Sequence, residues 1–354
     1  GSKEAFSESV KMNTALIRKR IRNAKMKAEE KQVGRYSATT TALLYLDGVV
    51  YLPICEEMRK RLDAFEVDGI EDGGMIEYLT RKKKEGRFPV YQTTERPDRA
   101  AQAILEGRVV LLTDNSPEAL IFPATLNSLF QTADDYYRNE RIVTFLRLIR
   151  YVAAFLALAL PGLYVAAATF HPQLLPGNLI RSMAEARSGV PFPTAAEVLL
   201  MELSFELLRE AGLRMPGPAG NTIGIVGGLI VGQAAVSANL VSPITVTVAA
   251  LTALGSFSIP NEELSEVFRL WKYGILLLGS CFGILGVMLG CFLLLMLMAE
   301  QESYGIPWLY PYVGGNLNER ADEKDSMFLA AARKRKRRPI FAKWGNRIRF
   351  RRKS

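Results

Sequence analysis

The sequence predicts an α/β cytoplasmic domain followed by a polytopic α-helical membrane domain, and three observations lead there. Long apolar runs are confined to residues 142 to 299. Before them, short apolar runs closed by turn residues alternate with segments of helical periodicity. After them comes a basic tail, whose Arg333 to Arg338, Lys343, Arg347, Arg349, Arg351, Arg352 and Lys353 together exceed the net charge of +9, so the rest of the chain is net negative. The chain accordingly divides into an N-terminal helical segment (1–33), an α/β domain (34–137), a transmembrane domain (138–300) and a basic cytoplasmic tail (301–354).

In Glu4 to Ile21, Phe6, Val10, Ile17 and Ile21 recur at roughly helical spacing, and Arg18, Lys19, Arg20 and Arg22 suit a helix C-terminus. Thr41 to Leu46 reads as a strand closed by the turn Asp47-Gly48. Tyr51 to Phe65 carries Leu52, Cys55, Met58, Leu62 and Phe65 at helical spacing. A strand at Pro89 to Gln92, a helix at Pro97 to Leu105 and a strand at Val109 to Thr113 continue the alternation. About a hundred residues suffice for one core. The carboxylates Asp68, Glu71, Asp72 and Glu77 lack the alternate-residue spacing of a calcium loop and read as a solvated helix start. Thr93 to Arg99 reads as a strand-to-helix corner with Pro97 at an early helical position; capping explains it without a bound anion.

Ile275 to Met298 carries no charge and exceeds the ~20 apolar residues that a span needs. Tyr151 to Phe170 is a second span, introduced by Arg138, Arg141, Arg147 and Arg150, which are expected among lipid headgroups. Asn221 to Asn239 and Ile244 to Ile259 are apolar, short and rich in small residues; they fit two tightly linked spans or one re-entrant hairpin. Two spans leave fewer backbone groups unpaired in lipid. Cations flanking the first and last spans place both termini in the cytoplasm, which requires an even number of crossings and gives four. Pro172 to Gly220 then faces outward or lies along the outer interface. The basic tail is expected to contact anionic lipid, since a cationic run beside a span serves orientation or lipid more often than nucleic acid.

Within the membrane domain, Gly220, Gly224, Gly228 and Gly232 form a smooth ridge for helix packing. Thr222, Val226, Leu229, Gln233 and Ser237 fall in one stripe roughly opposite, a candidate pore lining if several copies surround an axis. Gln233 and Asn239 are costly at membrane depth unless hydrogen-bonded or hydrated, and interhelical hydrogen bonding is the competing reading for each. An amphipathic helix over 194–213 presents Glu202, Glu206 and Glu210 on one face, either an acidic vestibule that concentrates cations or the wetted side of an interfacial helix. Gly279, Gly283, Gly286 and Gly290 make a second packing seam.

Three cysteines, Cys55, Cys281 and Cys291, and the single His171 exclude most metal-site patterns, and no cofactor is expected. The sequence carries no phosphate loop, no catalytic carboxylate pair at a recognisable spacing and no nucleophile with a second histidine. An enzyme is not expected.

Several motifs also carry a family resemblance: Asn13-Thr-Ala-Leu-Ile-Arg-Lys-Arg20, Thr94-Glu-Arg-Pro-Asp-Arg99, Thr169-Phe-His-Pro172, Pro191-Phe-Pro193, Met201-Glu-Leu-Ser-Phe-Glu-Leu-Leu-Arg-Glu-Ala-Gly212, Gly232-Gln-Ala-Ala235, Val241-Ser-Pro243 and Ser303-Tyr-Gly-Ile-Pro307. In this order, from about Glu4 to about Pro311, they resemble the A subunits of the GerA-type spore germinant receptors. The resemblance implies an integral protein of the spore inner membrane that acts with B and C subunits in nutrient sensing. It further implies a homo-oligomer, a pentamer, forming a ligand-gated cation channel that triggers germination. The nutrient would bind mainly to the B subunit, so no ligand residue is assigned here. The same family includes an accessory paralogue of the dipicolinate-release channel, which amplifies germination without sensing nutrients. Two departures stand out: family members usually carry a further N-terminal subdomain before Glu4, so a fragment is expected, and the tail after Pro311 is unusually long and basic.

Overall fold

The computed structural model describes residues 2–82, 85–214, 218–313, 322–343, 345 and 348; the side chains of 213, 218–226, 229 and 332 lie outside that description. The chain forms two compact units, Gly1–Ile149 with Leu297–Ser354, and Arg150–Met296.

The first unit is built on a five-stranded antiparallel sheet in the order β1-β2-β4-β5-β3. In chain order its elements are α1 (Val10–Arg20), β1 (Met26–Val33), β2 (Thr39–Leu46), α2 (Leu52–Asp63), α3 (Gly73–Thr80), β3 (Gln92–Thr94), α4 (Pro97–Glu106), β4 (Val109–Thr113), β5 (Ala119–Phe122) and α5 (Leu126–Leu129). Alternate residues of the central strands feed two cores. Ala42, Leu44, Val110 and Leu112 meet Val10, Ile17, Ala100 and Ile104 of α1 and α4. Leu43, Tyr45, Val109 and Leu111 meet Ile54, Cys55, Met58 and Ile76 of α2 and α3. Burial on both faces is why β2 and β4 are continuously apolar rather than alternating.

The expected helix at Glu4 to Ile21 begins only at Val10, because the preceding segment is held by side chains. Asn13 Oδ1 accepts from Ser7 N at 2.8 Å, Asn13 Nδ2 donates to Ser7 O at 2.6 Å, and Asp114 Oδ1 accepts from Val10 N at 3.0 Å. The expected strand at Pro89 to Gln92 sits slightly later, at β3. Strand β1 was not expected: Met-Lys-Ala-Glu-Glu-Lys-Gln-Val is charged because it forms one edge of the sheet, where charges discourage pairing with other chains. Asp72 caps α3 by accepting from Gly74 N at 3.3 Å.

The start of the expected tail belongs to this unit. Gln301 brackets Phe88, accepting from its N–H at 3.2 Å and donating to its carbonyl at 2.8 Å, while fully buried Trp308 donates from Nε1 to Pro89 O at 2.7 Å. Tyr304 stacks on Phe122, ring centroids 4.8 Å apart. Farther on, Lys343 N donates to Val49 O at 2.7 Å. The tail therefore does not begin at residue 301 as a separate segment, because its aromatic residues complete the domain core.

The second unit is helical. It contains most of α6 (Glu140–Thr169), then α7 (Gly177–Ala186), α8 (Thr194–Arg214), α9 (Pro218–Ser237), α10 (Pro243–Phe257) and most of α11 (Glu262–Glu300). Among the described residues, α6 and α11 are long and apolar enough to cross a membrane.

The uninterrupted span expected over Ile275 to Met298 is broken at Gly283, which takes φ 64° and ψ −145°. That conformation is essentially open to glycine alone. The chain doubles back there: a Cβ on Gly290 would lie 2.8 Å from Ile275 Cγ1, and one on Gly279 would lie 2.9 Å from Val287 Cγ2. In a straight helix Ile275 and Gly290 would be separated by about 22 Å. The two arms, residues 262–282 and 284–300, are about 31 and 25 Å long. The seam of Gly279, Gly286 and Gly290 closes these arms on each other, and a Cβ on Gly279 would also lie 3.0 Å from the carbonyl oxygen of Gly162 in α6. Phe170 and His171 seat against the tip at Gly283.

Candidate functional site

The polar interior of the helical unit is carried by α8. Its packing determines where each carboxylate points: Val198 and Met201 are fully buried, Val198 with Val165 and Leu276, Met201 with Ala235, Val241 and Ala249. This burial packs one side of α8 against α6, α9, α10 and α11, while Leu203 and Leu207 stay exposed on another.

Glu197, in the first turn of α8, is wholly buried. It accepts from Arg187 Nε at 3.1 Å, Ser242 N at 2.9 Å and Thr245 Oγ1 at 3.0 Å, so one carboxylate ties α7 and α8 to the start of α10. Ser242 caps α10 by accepting from Thr245 N at 3.3 Å, and Pro243 occupies an early helical position where its missing N–H costs nothing. Tyr164 of α6 reaches Thr245 Oγ1 at 3.3 Å.

Five residues along α8, Glu202 meets Lys272 Nζ at 2.6 Å, the two side chains being 2% and 6% exposed. One turn further, Glu206 pairs with Arg269, and Glu210 pairs with Arg214 at 2.7 Å on the exposed surface. Lys272 and Arg269, three residues apart, share a face of the first arm of α11, opposite the four-residue spacing of Glu202 and Glu206 in an antiparallel neighbour. The expected vestibule of free carboxylates is thus neutralised within one chain: Glu202 is enclosed, and Glu206 has a guanidinium partner.

Helix α9 turns Gly228 and Gly232 toward neighbours. A Cβ on Gly228 would lie 3.7 Å from Phe205 of α8, and one on Gly232 would lie 3.4 Å from Val246 of α10. Gln233 and Ser237 are exposed on the same helix. The side chains of Thr222, Val226 and Leu229, and those at Gly220 and Gly224, fall outside the described residues. Asn239 follows the helix at φ 54°, and its amide carbon would lie 3.4 Å from a Cβ on Gly189.

Sequence reasoning missed Glu197, Arg269 and Lys272. Their signal was present but weak: two cations three residues apart immediately before an apolar run, and a carboxylate shortly after Pro191-Phe-Pro193. It also placed Arg147 among headgroups. Arg147 is instead fully buried in the first unit, donating to Asp135 Oδ2 at 3.0 Å, Asp325 Oδ1 at 2.9 Å and Ser326 O at 2.7 Å. Asp325 also accepts from Tyr136 at 3.1 Å and Arg335 at 3.2 Å, so the return of the chain after residue 321 is pinned at one carboxylate. Burial and the Asp325 charge both push the Tyr136 phenol above its ordinary range. Burial pulls the nearby Arg108 guanidinium down to about 10. Among the described residues, no group of three or more His, Cys, Asp or Glu side chains is placed to hold a metal ion.

The fold and this interior define a protein with an α/β domain and a helical unit that contains long apolar helices and internal ion pairs. Residues 1–341 match the family described as Bacillus/Clostridium GerA spore germination protein, and the chain belongs to that family. It is 39% identical over 331 residues to the Bacillus subtilis membrane protein YfkQ, covering 94% of this chain and 64% of that protein. It is 38% identical over 311 residues to spore germination protein A1 of Bacillus subtilis, covering 88% of this chain and 64% of the relative, and 37% identical to spore germination protein KA, covering 88% and 57%. The chain thus spans somewhat under two thirds of these relatives. The N-terminal domain of the A subunit of the Bacillus megaterium spore germinant receptor GerK3 is 33% identical, with a TM-score of 0.28, covering 35% of this chain and 98% of that domain.

Proposed function

We propose that this chain is the A subunit of a nutrient germinant receptor, an integral protein of the spore inner membrane that oligomerises into a cation channel and triggers germination. Membership of the GerA family and similarity to named spore germination proteins support the germination role. Membrane insertion is supported by α6 and α11, and by the large apolar side chains of the second arm of α11 that face outward, such as Leu285 (73% exposed) and Phe292 (63%).

The observation that carries the channel reading is the division of labour on α9. Gly228 and Gly232 pack inward, while Gln233 and Ser237, uncharged and polar, remain exposed on an apolar helix. Polar groups in lipid are expensive unless they face water or find partners. A ring of α9 helices around an axis, a pentamer by family analogy, gives them water and forms a neutral pore with Thr222, Val226 and Leu229 on the same stripe. With Glu202 and Glu206 paired internally, selectivity in this arrangement falls to pore diameter and amide dipoles rather than to an acidic ring. B and C subunits complete the receptor, the nutrient binds mainly to B, the basic tail contacts anionic lipid, both termini are cytoplasmic, and the chain has no catalytic role.

The test is potassium release from single spores after nutrient addition, with the full-length protein, its deletion and Gln233→Leu. Early release is expected to disappear in both altered strains. Normal early release followed by slowed dipicolinate release would overturn the channel reading in favour of an accessory amplifier.

A further inference from the structure

A groove of about 180 Å3 lies within the helical unit, between the end of α6 and α7. One wall is Ala168, from the last turn of α6, with Pro172 and Leu175 of the segment that follows. The other wall is one face of α7 and its C-cap, where Ile180, Met183, Ala184 and Arg187 follow the spacing of a single helix face. Every lining side chain but Arg187 is apolar. Water there lacks the several polar partners that hold it in place, so the surface suits an apolar chain.

Arg187 is only partly committed. Its Nε donates to Glu197 Oε1 at 3.1 Å and its Nη2 to Phe192 O at 3.4 Å, while among the described residues its Nη1 has no hydrogen-bond partner. The side chain is 28% exposed, so the guanidinium can take an oxyanion without giving up Glu197, which Ser242 N and Thr245 Oγ1 hold as well. The other charges of α7, Arg181 and Glu185, are exposed and do not line the groove. Around it, Phe170, Leu174, Leu179 and Phe192 are large apolar side chains left exposed, a collar that is costly in water and ordinary against lipid. An apolar groove with a guanidinium on its wall and a lipid-like collar fits a ligand that brings an acyl chain and a phosphate together.

We propose that this groove holds one acyl chain of a glycerophospholipid whose phosphate accepts from Arg187. The inference rests on the reading that α6 crosses a membrane. The stretch of α6 from Arg150 to Thr169 is about 30 Å long, the thickness of the hydrocarbon layer, which brings the segment after Thr169 to the level of the lipid phosphates.

The test uses the full-length chain in nanodiscs doped with phosphatidylcholine that carries a diazirine in one acyl chain, reading the photolabelled residues by mass spectrometry. Labelling of residues 168–187 is expected to exceed that of the second arm of α11 severalfold, because a held chain stays where a surrounding one exchanges. Ala184→Trp, which fills the groove from an exposed position, should abolish the excess, whereas Ser182→Trp, exposed and outside the lining, should keep it; equal melting temperatures show that both variants fold. A second probe needs no variant: the same diazirine chain on a diacylglycerol, which has no phosphate, should label the groove about tenfold less, the scale of one charge-assisted hydrogen bond. Groove labelling no stronger than that of Leu285 and Phe292, as when a second copy covers the groove, an excess that survives Ala184→Trp, or equal labelling by the two probes would overturn the proposal while α6 and α11 are still labelled. Absence of label from α6 and α11 would refute the membrane reading itself.

Discussion

Replacing Lys272 by Met removes one half of a pair that is almost fully enclosed. The ammonium and the Glu202 carboxylate lie 2.6 Å apart with side-chain exposures of 6% and 2%. Their attraction at an effective dielectric of ~20 is about 6 kcal/mol, most of which offsets the cost of dehydrating two ions. Met removes the attraction but leaves Glu202 dehydrated, so the expected loss is about 3–5 kcal/mol. In detergent or nanodiscs this should lower the apparent melting temperature by roughly 10 °C. The double variant Lys272→Met/Glu202→Leu removes both charges and should recover most of the loss, to within about 1 kcal/mol of the parent. The cycle matters more than the single value, because two independent residues would give additive losses. A single-variant loss below about 1 kcal/mol, or a double variant as unstable as the sum of the singles, would refute a buried, mutually dependent pair.

Two further perturbations test local geometry. Gly283→Ala places a Cβ 2.8 Å from His171 Cε1 and demands a backbone conformation alanine rarely adopts, so a loss of about 1–3 kcal/mol is expected, whereas Gly177→Ala, with nothing within 4 Å of its Cβ, should be neutral by the same thermal assay. In the α/β unit, burial works to raise the Asp98 carboxyl, but bonds from Arg96 and Tyr137 outweigh it and hold the group below its ordinary range. A lowered folded value means stability that is present above the unfolded value of ~3.9 and lost as pH falls through the folded one. Asp98→Asn should therefore flatten the stability profile in that acid window; an unchanged acid slope in urea titrations would show that the network contributes nothing.

Much of the α/β domain was legible because its central strand and its helices carry unambiguous patterns. Thr41 to Leu46 is a buried strand by its apolar run, and α2 and α4 show helical periodicity closed by turn or cap residues, with Gly107 at φ 95° ending α4. Strand β1 was illegible because an edge strand carries charge by design. The hairpin in α11 was illegible for a different reason. Hydrophobicity continues unchanged across Gly283, and a seam of glycines looks the same whether it meets another chain or its own other arm.

The polar interior was half legible. The four-residue spacing of Glu202 and Glu206 showed a shared face, but their partners Lys272 and Arg269 lie 70 and 63 residues away, and only the fold brings them together. Spacing within one helix cannot reveal whether a carboxylate meets water or a buried cation.

The most direct test of the central claim is thiol modification of Gln233→Cys, in a full-length chain with Cys281 and Cys291 replaced by Ser, during the potassium release that follows nutrient addition. If α9 lines the ion path, a small charged methanethiosulfonate reagent applied with nutrient should stop potassium release, while the same reagent should leave the parent that keeps Gln233 unaffected. Full labelling of the introduced thiol with undiminished release would contradict the claim and move the ion path elsewhere.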